Sequence, residues 1–187
     1  LPLLGSAYAW SLEQLVAVKP DLVLLWGSGN GISSLPRLEA LGLAVYISEP
    51  RKLSDISESI RDIGALAGTG DTAAAVADQF DREIAELRSS YGSRESLSVF
   101  YQIWNSPLQT INGEHMISQV IALCGAENSF AELPQLAPQV SVEAVLQRDP
   151  QAIIASGMGE YRPEWLDSWK KYASLTAVRS GALLHIH

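Results

Sequence analysis

The sequence predicts an α/β protein built as two similar lobes, and three observations carry that prediction. Residues 11–29, SLEQLVAVKPDLVLLWGSG, recur as residues 141–159, SVEAVLQRDPQAIIASGMG. Ser11 matches Ser141, Glu13 matches Glu143, Pro20 matches Pro150, and Gly27 and Gly29 match Gly157 and Gly159, at one constant offset. Each copy reads as a short apolar helix opened by Ser and stopped by Pro, followed by an apolar run ending in Gly-x-Gly: a helix, a strand and a turn. Second, strand and helix patterns alternate from residue 21 to residue 68, an order that implies a parallel sheet. Third, the most strongly periodic helix, residues 70–91, lies between the two copies, where it would connect the lobes. Two lobes enclose a cleft, and clefts hold ligands.

Each element has a local reason. Ser11 is an N-cap candidate, and Glu13 in the first turn suits the helix dipole. Pro20 ends that helix because the residue before a proline is pushed out of the α region. DLVLLW is continuously apolar rather than alternating, the pattern of a buried parallel strand. GSGNG reads as a turn, SSLPRLEALGL as a helix, AVYISE as a strand and LSDISESIRDIGALAG as a helix. In residues 70–91, Ala73, Val76, Ala77, Phe80, Ile84 and Leu87 fall at helical spacing. Such a helix is about 30 Å long. SLSVFYQIW is an aromatic-rich strand, SPLQTING a loop with Pro and Gly punctuation, and HMISQVIALCGAEN a helix closing at Gly125. After the second copy of the repeat, RPEWLDSWKKY reads as a short amphipathic helix and ALLHIH as a last strand.

Bulk properties exclude several classes. With 187 residues and 47% hydrophobic content, a real core can form. The longest apolar stretches, LVLLW among them, are far shorter than a membrane span. A net charge of −8 with no Lys/Arg stripe argues against nucleic acid. Cys124 is the only cysteine, which rules out an intrachain disulfide and a cysteine zinc site; its apolar helix predicts a buried structural thiol. The chain opens at Leu-Pro without Met and stops inside a strand pattern, which reads as truncation at both ends.

Catalysis finds little support. Gly27-x-Gly29-x-Gly31 is GxGxG rather than GxGxxG, and no P-loop lysine follows. His115, His185 and His187 form no metal-binding motif. Ser28 and Ser156 lack a nucleophile-elbow context. Glu114 and His115 form an acid/base pair or, more simply, a structural or solvated pair at a helix start. Trp165 and Trp169 share a helix face and read as core or lobe surface. Trp26 and Trp104 differ, because each ends a strand, and ligands bind beyond the carboxyl ends of parallel strands. They either clamp a large flat ligand or cap their sheets. Glu13 and Glu143, at the same point of both repeats, are either ordinary helix-start carboxylates or two contacts for a symmetric partner.

These residues resemble the periplasmic binding proteins that serve vitamin B12 and siderophore importers, most closely the cobalamin-binding type. The resemblance rests on SLEQLVAVKPDLVLLWGSGN, on YQIWNSPLQTINGEHMISQVIALCGAENSF and on LAPQVSVEAVLQRDPQAIIASGMGE. It implies two Rossmann-like lobes joined by one long rigid helix, with ligand held between them and no catalysis. It implies that residues 1–69 are part of an N-terminal lobe, 70–92 the connecting helix, and 93–187 a C-terminal lobe lacking its closing helix. By position, Trp26 falls on a cobalamin-contacting tryptophan and Gln109 on a ligand-contacting aromatic, within a loop that also holds Trp104, Asn105 and Leu108. Glu13 and Glu143 fall on the two carboxylates that dock on arginines of the membrane permease dimer. Ala7 and Ala137 stand where the best-known cobalamin binders carry aromatic rings, and Tyr8, Trp10 and Trp104 could fill the same space. The implied protein is periplasmic and monomeric, binds cobalamin or a related corrinoid, holds no metal or cofactor of its own, and works with an inner-membrane permease of the ABC type. A ferric siderophore or haem binder of the same family is the alternative, and a small α/β enzyme the alternative of another class.

Overall fold

A computed structural model describes residues 3–6, 9–156 and 163–186. The chain divides into two compact units, Leu1–Pro50 and Arg51–His187.

The first unit opens with an antiparallel pair, β1 (Gly5–Ser6) and β2 (Ala9–Trp10), which sequence patterning did not anticipate. Helix α1 (Leu12–Val18) starts where the Ser11 hydroxyl accepts the Gln14 N–H at 3.2 Å. It stops at Lys19, which takes the left-handed conformation (φ 53°) directly before Pro20. Strand β3 (Val23–Trp26) leads into a single π-helical turn, Gly27–Gly31, then a 3-10 turn and α2 (Leu35–Ala40). Strand β4 (Val45–Ser48) returns parallel to β3, with Val23 opposite Val45 and Trp26 opposite Ser48. Leu15, Leu25 and Leu38 form the core, with Trp10, Leu12, Val23 and Val45 packed around them. The apolar run of β3 is therefore not buried on both faces. Only Leu25 is enclosed, by α1 and α2, whereas Leu24 is 50% and Trp26 58% exposed. Hydrophobic composition permitted burial, but among the described residues β3 has one neighbouring strand and one covered face.

The second unit begins with two packed helices, α3 (Leu53–Leu66) and α4 (Gly70–Tyr91). They approach so closely that a methyl group on Gly64 would lie 2.0 Å from the Ala73 Cβ. Arg61 bridges Asp78 and Asp81 across the pair at 2.7 and 2.9 Å. Helix α4 occupies the residues its periodicity predicted. Ala73 and Ala77 face inward, while Val76 and Leu87 are largely exposed.

Strand β5 (Leu97–Gln102) is followed by a two-stranded hairpin, β6 (Trp104–Asn105) and β7 (Leu108–Gln109), in the stretch read as a loop. Then come α5 (Met116–Leu123), β8 (Ala126–Asn128), α6 (Val142–Arg148), β9 (Ala152–Ser156), a 3-10 helix over Glu164–Lys171, α7 (Thr176–Arg179) and β10 (Leu183–Ile186). The sheet is parallel throughout, in the order β8-β5-β9-β10. Alternate residues of β5 and β9 face opposite cores. Phe100, Ile153 and Ala155 pack with Val145 of α6, with Leu166 and Trp169 of the 3-10 helix and with Ala177 of α7. Val99, Tyr101 and Ala152 pack with Ile121 of α5 and with Ile111. Covering on both faces is what a parallel sheet requires.

The two repeats fold alike. The Ser141 hydroxyl accepts the Ala144 N–H at 3.1 Å, as Ser11 does for Gln14. Asp149 takes the left-handed conformation (φ 43°) directly before Pro150, at the position of Lys19. Among the described residues these two alone, glycine aside, have positive φ. A left-handed L-residue costs about 1 kcal/mol, and Asp149 offsets it by accepting both the N–H and the hydroxyl of Thr176, each at 2.7 Å. Strands β3 and β9 lie in separate sheets, so each copy serves its own lobe-like unit. Cys124 departs from expectation: it is exposed. It caps the end of α5, where Ile121 and Leu123 take the inward positions instead.

Candidate functional site

Strand order locates the candidate site in the second unit. Within the four-stranded sheet the first strand in chain order, β5, lies between the second, β8, and the third, β9. Connections leaving β5 and β9 therefore diverge, and in such sheets the crevice outside their carboxyl ends receives ligands. The β6–β7 hairpin leaves β5 at that end. The turn after β9, with Gly157 and Gly159, lies outside the described residues.

The hairpin is clamped from several sides. Ile103 N–H donates to the Gln109 carbonyl at 3.0 Å, Thr110 N–H to Pro138 at 3.0 Å, and Val140 N–H to Leu108 at 3.0 Å. The Thr110 hydroxyl donates to the Tyr101 carbonyl at 2.7 Å. Beneath the hairpin lies Gln102, with no exposed surface. Its oxygen accepts the Trp169 indole N–H at 2.7 Å, and its amide group donates to the Trp104 carbonyl at 3.4 Å. A buried carboxamide is costly unless its polar atoms are bonded. Here the bonding joins the hairpin to the 3-10 helix. The Trp104 indole N–H donates to the Ser106 carbonyl at 2.9 Å, which fixes the ring on its own hairpin. The ring stays 43% exposed. Asn105 is also exposed, and Leu108 and Gln109 are half-buried.

In the first unit, Trp26 ends β3 and is more than half exposed. The turn that follows needs its glycines. A methyl group on Gly29 would lie 2.0 Å from the Trp26 ring, and one on Gly27 would lie 2.7 Å from a carboxylate oxygen of Glu49. That oxygen accepts the Ser28 N–H at 2.6 Å. The GxGxG spacing thus serves ring contact and carboxylate approach. Trp10 is partly buried against the core of this unit, and Tyr8 lies outside the described residues. Glu13 and Glu143 are both exposed in the first turns of α1 and α6.

His115 caps α5, its Nδ1 accepting the Ile117 N–H at 3.1 Å, and burial holds its pKa below the ordinary 6.5. This is a structural role, and Glu114 beside it is exposed. Among the described residues no cluster of His, Cys, Asp and Glu is arranged to hold a metal ion. Sequence reasoning missed Gln102, Trp169 and Glu49 as supports of the candidate ligand residues. Their contacts join distant positions, and no local pattern marks them.

Residues 2–187 match the model of a family described as periplasmic binding protein. A vitamin B12-binding protein of Vibrio cholerae is 31% identical over 170 residues, 91% of this chain and 61% of the relative. This chain therefore spans less than two thirds of that relative's length. The crystal structure of the periplasmic vitamin B12-binding protein BtuF of Vibrio cholerae superposes with a TM-score of 0.83 at 28% identity, covering 98% of this chain and 71% of that one. The periplasmic heme-binding protein BhuT shares the fold, with a TM-score of 0.81 at 18% identity, covering 100% of this chain and 72% of that one. With both repeats, both parallel sheets and nearly every residue accounted for by one family model, the chain belongs to the periplasmic binding protein family.

Proposed function

We propose that this protein is the periplasmic substrate-binding component of an ABC importer and that it captures cobalamin or a related corrinoid. The observation that carries the proposal is the pair of exposed indoles, Trp26 as the last residue of parallel strand β3 and Trp104 two residues past the carboxyl end of parallel strand β5. A corrin ring is broad and flat, with polar amides at its rim. Indole rings suit its faces, and each ring buried by ligand contributes about 1.5–3 kcal/mol. The polar side chains of Asn105 and Gln109, with Leu108 beside them, suit the rim. The names of the B12-binding relatives support the same ligand. Tyr8 and Trp10 are further ligand residues of this proposal, and residues 1–69 and 93–187 are its two lobes, with 70–92 between them.

Glu13 and Glu143 act in delivery rather than capture. Each is exposed at an equivalent point of the repeat, which suits a two-fold permease carrying a basic pocket on each half. The protein works without catalysis.

Calorimetric titration of the intact protein with cyanocobalamin, beside hemin and a ferric siderophore, tests the reading. Saturable one-to-one binding of cyanocobalamin, with weaker binding of the other two, is expected. Tighter binding of hemin or of the siderophore would move the protein to that ligand class.

A further inference from the structure

We infer that Glu49 is a positioning residue for Trp26, holding the turn after β3 so that the indole is presented in one orientation. The inference rests on the ligand role proposed above for Trp26. Three observations converge on it. Glu49 directly follows β4, the strand paired with β3, and Trp26 is the last residue of β3 in that ladder, opposite Ser48. The Glu49 carboxylate accepts the Ser28 N–H at 2.6 Å, a charge-assisted bond to the second residue after Trp26. It also sits so close to Gly27 that a methyl group there would be 2.7 Å from its oxygen. On the other side, the turn folds against the indole itself, where Gly29 leaves no room for a side chain.

The physical consequence follows from these contacts. A π-helical turn leaves its first N–H groups without helical partners, because a helical bond needs a preceding carbonyl in register. Glu49 supplies an acceptor to one of them. Without it, the turn loses the bond that holds Ser28 toward β4. Gly29 is then free to leave the ring, and the indole is free to change rotamer. An aromatic side chain with most of its surface in solvent has little packing of its own to fix it. Trp26 is such a side chain, so its orientation depends on the turn. An ordered anchor binds more tightly than a mobile one, because less rotamer entropy is lost on binding. Glu49 thus acts on ligand affinity through Trp26.

The test compares Glu49→Gln and Glu49→Ala with the wild-type intact protein, alone and in a Trp26→Ala background. Glu49→Gln keeps an oxygen that accepts the Ser28 N–H, and Glu49→Ala removes it. In the ligand-free protein, hydrogen exchange of the Ser28 amide is expected to be near wild type in Glu49→Gln and faster in Glu49→Ala, with a displaced or broadened Trp26 indole resonance. Cyanocobalamin affinity is expected to fall about five- to tenfold in Glu49→Ala, the scale of one charge-assisted hydrogen bond, and less than about twofold in Glu49→Gln. In the Trp26→Ala background, Glu49→Ala is expected to have no further effect, which a general loss of stability would not reproduce. The inference is overturned by unchanged Ser28 exchange in Glu49→Ala, by a Glu49→Gln variant as weak as Glu49→Ala, or by equal weakening in both backgrounds. If the wild-type protein does not bind cyanocobalamin, the ligand assignment fails, and the exchange and indole measurements still decide the role of Glu49.

Discussion

Trp169→Phe tests whether the ligand-side hairpin is held by a buried polar bond. Trp169 is 3% exposed, edge-on to Phe100 at 5.7 Å and tilted against Tyr172 at 5.8 Å. Its indole N–H satisfies the oxygen of Gln102, which has no access to water. Phenylalanine keeps the aromatic contact but removes the donor. Leaving a buried carbonyl unpaired costs ~1–3 kcal/mol, and the smaller ring leaves a void costing about 1 kcal/mol. Together these give a loss of roughly 2–4 kcal/mol. Gln102→Leu should recover part of that loss in the Trp169→Phe background, because replacing both partners by apolar groups removes the unsatisfied atom. Its lost bond to the Trp104 carbonyl is long, 3.4 Å, and at an exposed residue, where water substitutes for it. The double variant should therefore be more stable than the sum of the singles by about 1–2 kcal/mol. Urea unfolding read by circular dichroism measures all four proteins. A loss below about 0.5 kcal/mol in Trp169→Phe, or strictly additive singles, would refute the reasoning.

Other outcomes follow from the same contacts. Trp26→Ala should weaken cobalamin binding by ~1–3 kcal/mol in calorimetry, the usual effect of losing an aromatic anchor, and an unchanged affinity would remove it from the site. The double change Glu13→Ala with Glu143→Ala should leave ligand affinity intact and weaken permease association, most at low salt, where exposed charges are least screened. Wild-type affinity for the permease together with full transport would end that assignment. Acid should also act through His115. Its folded pKa lies below 6.5, so the unfolded chain takes up the proton first as pH falls. Stability should thus rise with pH across the window that ends near 6.5. His115→Asn keeps a side-chain acceptor at the helix start and removes the titration, so it should flatten the slope between pH 7 and 5. An identical slope in the variant would place the acid sensitivity elsewhere.

Much of the chain was legible before folding because its signals are local. Ser11 and Ser141 cap helices with their own hydroxyls, and Pro20 and Pro150 stop them within one residue. The existence of α4 follows from apolar spacing between Ala73 and Leu87, about four turns. The failures have physical causes. β8 is only three residues long, and β6–β7 two residues per strand, too short for a period to emerge. Cys124 lies in an apolar stretch, yet its angle at the last turn of α5 turns it to solvent. At the candidate site, Trp26 and Trp104 were visible because each ends a strand pattern. Glu49, Gln102 and Trp169 were not, since a carboxylate on a distant N–H and an indole on a distant carboxamide leave no trace in neighbouring residues.

The sequence by itself determined the duplicated helix–strand unit, its capping and termination, the long helix α4 and the α/β class, because caps, prolines and apolar periods act within a few residues. The tertiary structure alone decided which face of β3 was covered, that β5 would stand between β8 and β9, and that two buried side chains would brace the hairpin carrying Trp104. Those outcomes depend on which segments meet after the chain has closed on itself. Burial and polar pairing are properties of that meeting, and no single segment contains them.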